Sequence, residues 1–131
     1  MEKLENIFLE IKKILEKHSS KFLIREQYRG SQAKQQKPGF HLYGSKEVSL
    51  FGKKPQPTYL AGVIQQKYYV SFYFSPIYSH PDLFKNINPD LKKFLKGKSC
   101  FNINKIYPQL LEEIEDLLKK GISKYKEIGW I

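Results

Sequence analysis

The stretch YLAGVIQQKYYVSFYF, residues 59–74, decides how the chain is read. Side chains on a strand alternate between faces, and here Leu60, Gly62 and Ile64 alternate with Tyr59, Ala61 and Val63. After a polar tip at Gln65, Gln66 and Lys67, Val70, Phe72 and Phe74 alternate with Tyr69, Ser71 and Tyr73. Aromatic and β-branched residues in this number suit a pleated, half-buried surface and make poor helix. The stretch reads as a β-hairpin, and the remainder of the chain as what packs against it.

Upstream, breakers at Gly52, Pro55 and Pro57 make a turn that delivers the chain to the hairpin. Before it, alternation predicts a strand from Glu47 to Phe51, a turn at Gly44, Ser45 and Lys46, and a short strand from Phe40 to Tyr43. Residues Phe22 to Arg29 form a further strand, and the polar stretch Gly30 to Gly39 a loop or hairpin end. At the start, Leu4, Ile7, Phe8, Ile11, Ile14, Leu15 and His18 recur at helical spacing with Glu and Lys opposite, so an amphipathic helix ends at Ser19 and Ser20.

Downstream, Ser75 and Pro76 stop the hairpin's second strand, and Ser79, His80, Pro81 and Asp82 cap a short helix through Phe84. Asn88 and Pro89 start another, with Leu91, Phe94 and Leu95 apolar and Gly97 closing it. Ser99 to Ile103 reads as a strand with Cys100 on one face and Phe101 and Ile103 on the other. Tyr107, Leu110, Leu111, Ile114, Leu117 and Leu118 define the last helix, with acids early, Lys119 and Lys120 late and Gly121 at its end. Residues 122–125 continue or restart it, and Trp130 belongs to a terminal apolar anchor. The sum is one α+β domain over residues 1–131, a two-layer sandwich of one antiparallel sheet with the helices on one side.

A chain of 131 residues buries enough surface to fold without staples. The lone Cys100 has no internal partner for a disulfide, no apolar run approaches the roughly 20 residues that span a bilayer, and no signal-peptide pattern opens the sequence. A cytoplasmic protein without a membrane role is the expectation. The 23 Lys and Arg against 13 Asp and Glu leave a net charge of +10, which favours anionic partners. Lys17, Lys21, Arg25, Arg29, Lys34, Lys37, Lys46, Lys53 and Lys54 face only Glu26 and Glu47 in their window and form either a basic face or a solvating scatter of charge.

Catalytic and metal patterns are sparse. Gly97, Lys98 and Ser99 imitate the end of a phosphate-binding loop, but Lys92 stands where that loop needs a glycine. Cys100 with His41 or His80 is the one candidate thiolate pairing, and one Cys with three scattered His lacks the paired spacing of structural zinc. Glu112, Glu113, Glu115 and Asp116 are the densest acids. They read either as a carboxylate site for a hard cation or Fe(II), or as dipole-complementing charges spaced to pair with Lys119 and Lys120. Tyr59, Tyr69 and Tyr73, with Lys67, make either a stacking platform or a second layer of core.

Gly52 and Lys53, the run from Tyr59 to Gly62, the strand ending at Pro76, residues Lys96 to Phe101 and the closing segment from Gly121 to Ile131 resemble the YdhG-like family, a domain of unknown function that is distantly frataxin-like. The resemblance covers Phe40 to Ile131. It implies a compact two-layer α+β fold with a curved antiparallel sheet. It also implies the role described for a bacterial member, an intracellular iron chaperone that binds iron through surface carboxylates and delivers it to iron–sulfur or haem assembly. This chain departs from that member in being basic, and acids such as Glu5, Glu10 and Glu16 of its first helix alternate with lysines.

The leading expectation is a non-enzymatic binding domain for an anionic small molecule or nucleic acid, with no cofactor. Its sheet face supplies Tyr59, Tyr69, Tyr73 and His41, and Lys46, Lys53, Lys54 and Lys67 supply charge. The alternative is an iron chaperone that uses Glu112, Glu115 and Asp116 and partners iron–sulfur assembly proteins. A small enzyme built on Cys100 comes third. The chain is expected to be a monomer, or a homodimer through an open edge of the hairpin.

Overall fold

A computed structural model describes residues 3–26, 38–50 and 52–131. In chain order the elements are α1 (Leu4–Lys17), β1 (Phe22–Arg25), β2 (Gly39–Val48), β3 (Gln56–Gln65), β4 (Val70–Phe74), α2 (Pro76–Ser79), a 3-10 turn (Pro81–Phe84), α3 (Pro89–Lys92), β5 (Leu95–Lys96), β6 (Cys100–Ile103) and α4 (Pro108–Glu127). The strands form one open antiparallel sheet in the order β1-β2-β3-β4-β6-β5. This is the expected α+β arrangement. No described helix is long and apolar enough to cross a membrane.

The register sorts the side chains. Facing pairs Phe40 and Val63, Leu42 and Ala61, Ala61 and Phe74, Val63 and Phe72, Phe72 and Phe101, and Val70 and Ile103 put one set on one face. All are buried, and they form one core with Ile7, Phe8, Ile11 and Leu15 of α1 and Leu110, Ile114, Leu117 and Leu118 of α4. Each fully buried side chain of this size removes from water a surface worth about 1.5–3 kcal/mol, so the helices dock by their apolar stripes. Both helices therefore cover the same face of the sheet. The C-terminal end of α1 is tied to the first half of α4 as well: Lys17 Nζ donates to Glu115 Oε1 at 2.7 Å, and His18 Nε2 lies 3.2 Å from the same oxygen.

Several local expectations change. Gly44, Ser45 and Lys46 do not turn the chain; they lie inside the continuous β2, and a register shift between Tyr43 and Glu47 absorbs them as a bulge. The strand expected over 22–29 is described as β1 up to Arg25, while Tyr28, Arg29, Lys34, Lys37 and Phe51 lie outside the described residues. Gly97, at φ +73°, turns β5 into β6 and does not close a helix. Gly121 does not end α4, which runs on to Glu127. A side chain there would meet Phe74 and Pro76 at 2.9 Å, so the glycine marks close packing and not a stop. Neither hairpin strand has an open edge, because β2 covers β3 and β6 covers β4; the sheet's edges are β1 and β5. A dimer through the hairpin is thereby removed.

Candidate ligand-binding cleft

The sheet face away from the helices carries a row of directly opposed residues, one from each strand: Arg25, His41, Gly62, Tyr73, Cys100 and Lys96. Tyr59 joins this face through a bulge. Leu42 faces Ala61 but Tyr43 faces Tyr59, so β3 holds the extra residue Leu60 and the alternation reverses there. The Tyr59 ring then lies over Gly62, whose absent side chain leaves room for it and for the His41 ring. Tyr59 Oη and His41 Nδ1 are 2.8 Å apart. His41 is fully buried, and burial lowers its pKa from 6.5 to about 4, so the imidazole is neutral at pH 7.

Where the bulge ends, a cleft of about 920 Å³ opens between the sheet and the segments after β4 and α4. Tyr43 and Tyr59 form its sheet wall, with ring centroids 5.1 Å apart and edge to face. Tyr78, His80, Tyr125 and Trp130 line it from the segment after β4 and from α4 and its end. Trp130 lies 4.9 Å from the Tyr125 ring and 5.4 Å from that of His80. Tyr125 Oη donates to the Tyr59 carbonyl at 2.8 Å and ties α4 to β3. Burial, and secondarily Lys124, lowers the His80 pKa against the opposing pull of Glu127. His80 Nδ1 lies 2.8 Å from Ser79 Oγ.

Arg25, at the end of β1, is the charged residue among the described lining, which includes no carboxylate. It forms no ion pair with the described residues. Lys98 Nζ stands 5.0 Å over the Tyr78 ring and brings a second cation to that ring. The buried Thr58 hydroxyl, also in the lining, has no hydrogen-bond partner among the described residues. Chemically, the cleft presents aromatic faces, neutral hydroxyls and an exposed guanidinium that has no carboxylate partner among the described residues.

Of the residues expected at a site, Tyr59 lines the cleft and His41 supports it from behind. Tyr73 is on the same face but lies farther along the row, half-buried. Lys53 and Lys54 are exposed on the β2–β3 turn, and Lys46 is exposed in the bulge of β2. Tyr69 and Lys67 occupy the other end of the hairpin, where Lys67 Nζ stands over the Tyr68 ring. The ten residues of β3 hold these ends roughly 30 Å apart, so the expected tyrosines and lysines do not form one surface. Tyr43, Tyr78, Tyr125 and Trp130 are not legible as a site in the sequence, where an excess of aromatics is the available signal; His80, a candidate there as a partner of Cys100, lines the cleft without it.

The acids do not make a donor set. Glu115 is engaged by Lys17 and His18, and its hydrogen bond from Lys17 leads the causes that lower its pKa. Glu112 and Asp116 are exposed, and no group of three His, Cys, Asp or Glu among the described residues could hold a metal ion. Burial raises the Cys100 pKa, with hydrogen bonds from Ser71 and Tyr73 opposing, which keeps the group a thiol. Compared with known proteins, the chain matches no family model, no curated protein and no solved structure. The fold and the cleft therefore define the class, an α+β domain with an aromatic cleft.

Proposed function

We propose that the chain is a non-enzymatic domain that binds a small anionic ligand in this cleft. One observation carries the reading: in a cleft of ligand size, Arg25 stands among rings and neutral polar groups with no carboxylate partner among the described residues. A small ligand is favoured over nucleic acid because the exposed lysines of the two hairpin ends diverge and do not line a continuous groove. A binding role is favoured over thiol chemistry because Cys100 stays protonated. For an iron cargo, the acids of α4 supply no convergent oxygens.

The test is a thermal-shift screen of small organic anions on the wild type and on Arg25→Gln. Ligands that raise the midpoint of the wild type should lose at least about tenfold in affinity in the variant, since hydrogen bonds to a charged group contribute about 1.5–3 kcal/mol. Equal affinity for both proteins would overturn the assignment of Arg25 and with it this reading.

A further inference from the structure

We infer that the ligand is a flat aromatic monocarboxylate, its ring held against the aromatic lining and its carboxylate on Arg25. The inference rests on the anionic-ligand reading above and narrows it.

Charge sets the valence. Among the described lining residues Arg25 carries the full positive charge; Lys98 stands outside that lining, over the exposed Tyr78 ring, and His80 adds hydrogen-bonding capacity without charge. Arg25 neutralises a single anionic group within the lining, whereas the second charge of a phosphate monoester would have to reach the Lys98 ammonium outside it, at the exposed Tyr78 ring. The guanidinium is a planar fork that takes both oxygens of a carboxylate at once.

Shape sets the body. The lining draws rings both from the sheet, Tyr43 and Tyr59, and from the segments beyond it, Tyr78 and Trp130. Trp130 packs against Tyr125 and His80, and the Tyr125 hydrogen bond to the Tyr59 carbonyl ties α4 to β3, so these rings are positioned by the fold. Fixed rings with few torsions give up little entropy on binding, and they favour another ring by stacking over a flexible chain that must be ordered.

The experiment is calorimetric titration of the whole chain with 2-naphthoate, its neutral amide, 2-naphthyl phosphate and decanoate. The wild type should bind 2-naphthoate at least about tenfold more tightly than the amide, the loss expected when a charge-assisted hydrogen bond is removed. Arg25→Gln should erase that difference, and Arg25→Lys should restore only part of it, because an ammonium is a point charge. Tyr78→Ala, at an exposed position, should weaken 2-naphthoate and leave folding intact. Tighter Arg25-dependent binding of the phosphate ester would overturn the carboxylate and leave the anionic cleft standing. Decanoate binding as tightly as 2-naphthoate would overturn the aromatic body. Heat from none of the three anions would bring down both the inference and the reading beneath it.

Discussion

His41 is a neutral imidazole kept away from water, and its stability contribution depends on pH. The unfolded chain takes up a proton near 6.5, while the folded chain resists until about 4. Between those values the unfolded state holds more protons, so stability falls as pH falls, by roughly 3 kcal/mol across the interval. Urea midpoints at about pH 7 and about pH 5 measure this, and His41→Gln should show a shallower fall than the wild type. Equal slopes would show that His41 is not the group responsible. The sequence shows a histidine in an alternating segment, but burial and the Tyr59 hydroxyl come from strands that meet in space. That is why His41 reads from sequence as a ligand and in the structure as a support. Cys100 follows the same rule, since its burial depends on neighbours that one strand does not reveal.

At the scale of elements, period-two alternation made β3 and β4 legible, and the 3.6-residue spacing of apolar residues did the same for α1 and α4. Both signals are local. The bulge at Leu60 is not local, because it exists only relative to β2, and it alone transfers Tyr59 from the helix side of the sheet to the cleft. Gly121 was misleading because a glycine after two lysines satisfies the rule for a helix end. The helix continues because Tyr125, one turn on, is buried and hydrogen-bonded to β3. Gly121→Ala should therefore destabilise the protein. Overpacking against Phe74 and Pro76 costs about 1–3 kcal/mol, against the roughly 1 kcal/mol that alanine gains in a helix interior. A lower denaturant midpoint with an unchanged slope is the expected result; a higher midpoint would mean that the neighbours yield without strain.

At the scale of the whole molecule, net charge raises the expectation of an anionic partner and says nothing of where it would bind. The cleft draws on Arg25, Tyr43, Tyr59, Tyr78, His80, Tyr125 and Trp130, which run nearly the length of the chain and share no spacing. Such a site becomes visible only once the sheet order is known. The long-range tie between Glu115 and Lys17 was hidden for the same reason, because the spacing of Glu115 to Lys119 offered a nearer partner. Glu115→Gln should lower stability by about 1 kcal/mol or less, as expected for a pair whose lysine stays exposed to water. The depressed carboxyl pKa places that contribution above the ordinary carboxylate range, and it is lost as pH falls through the lowered value. Denaturation across the acid range checks it: wild type and variant should differ at about pH 7 and draw together as the pH falls below the ordinary carboxylate range.

Trp130 is the chain's single tryptophan, and it stands within the cleft with Tyr125 and Tyr59 close by. Light absorbed by those tyrosines is therefore passed on and emitted mainly as indole fluorescence from the cleft wall. The protein carries its own optical probe at the place where a ligand would arrive, and the same emission registers the docking of the segment after α4.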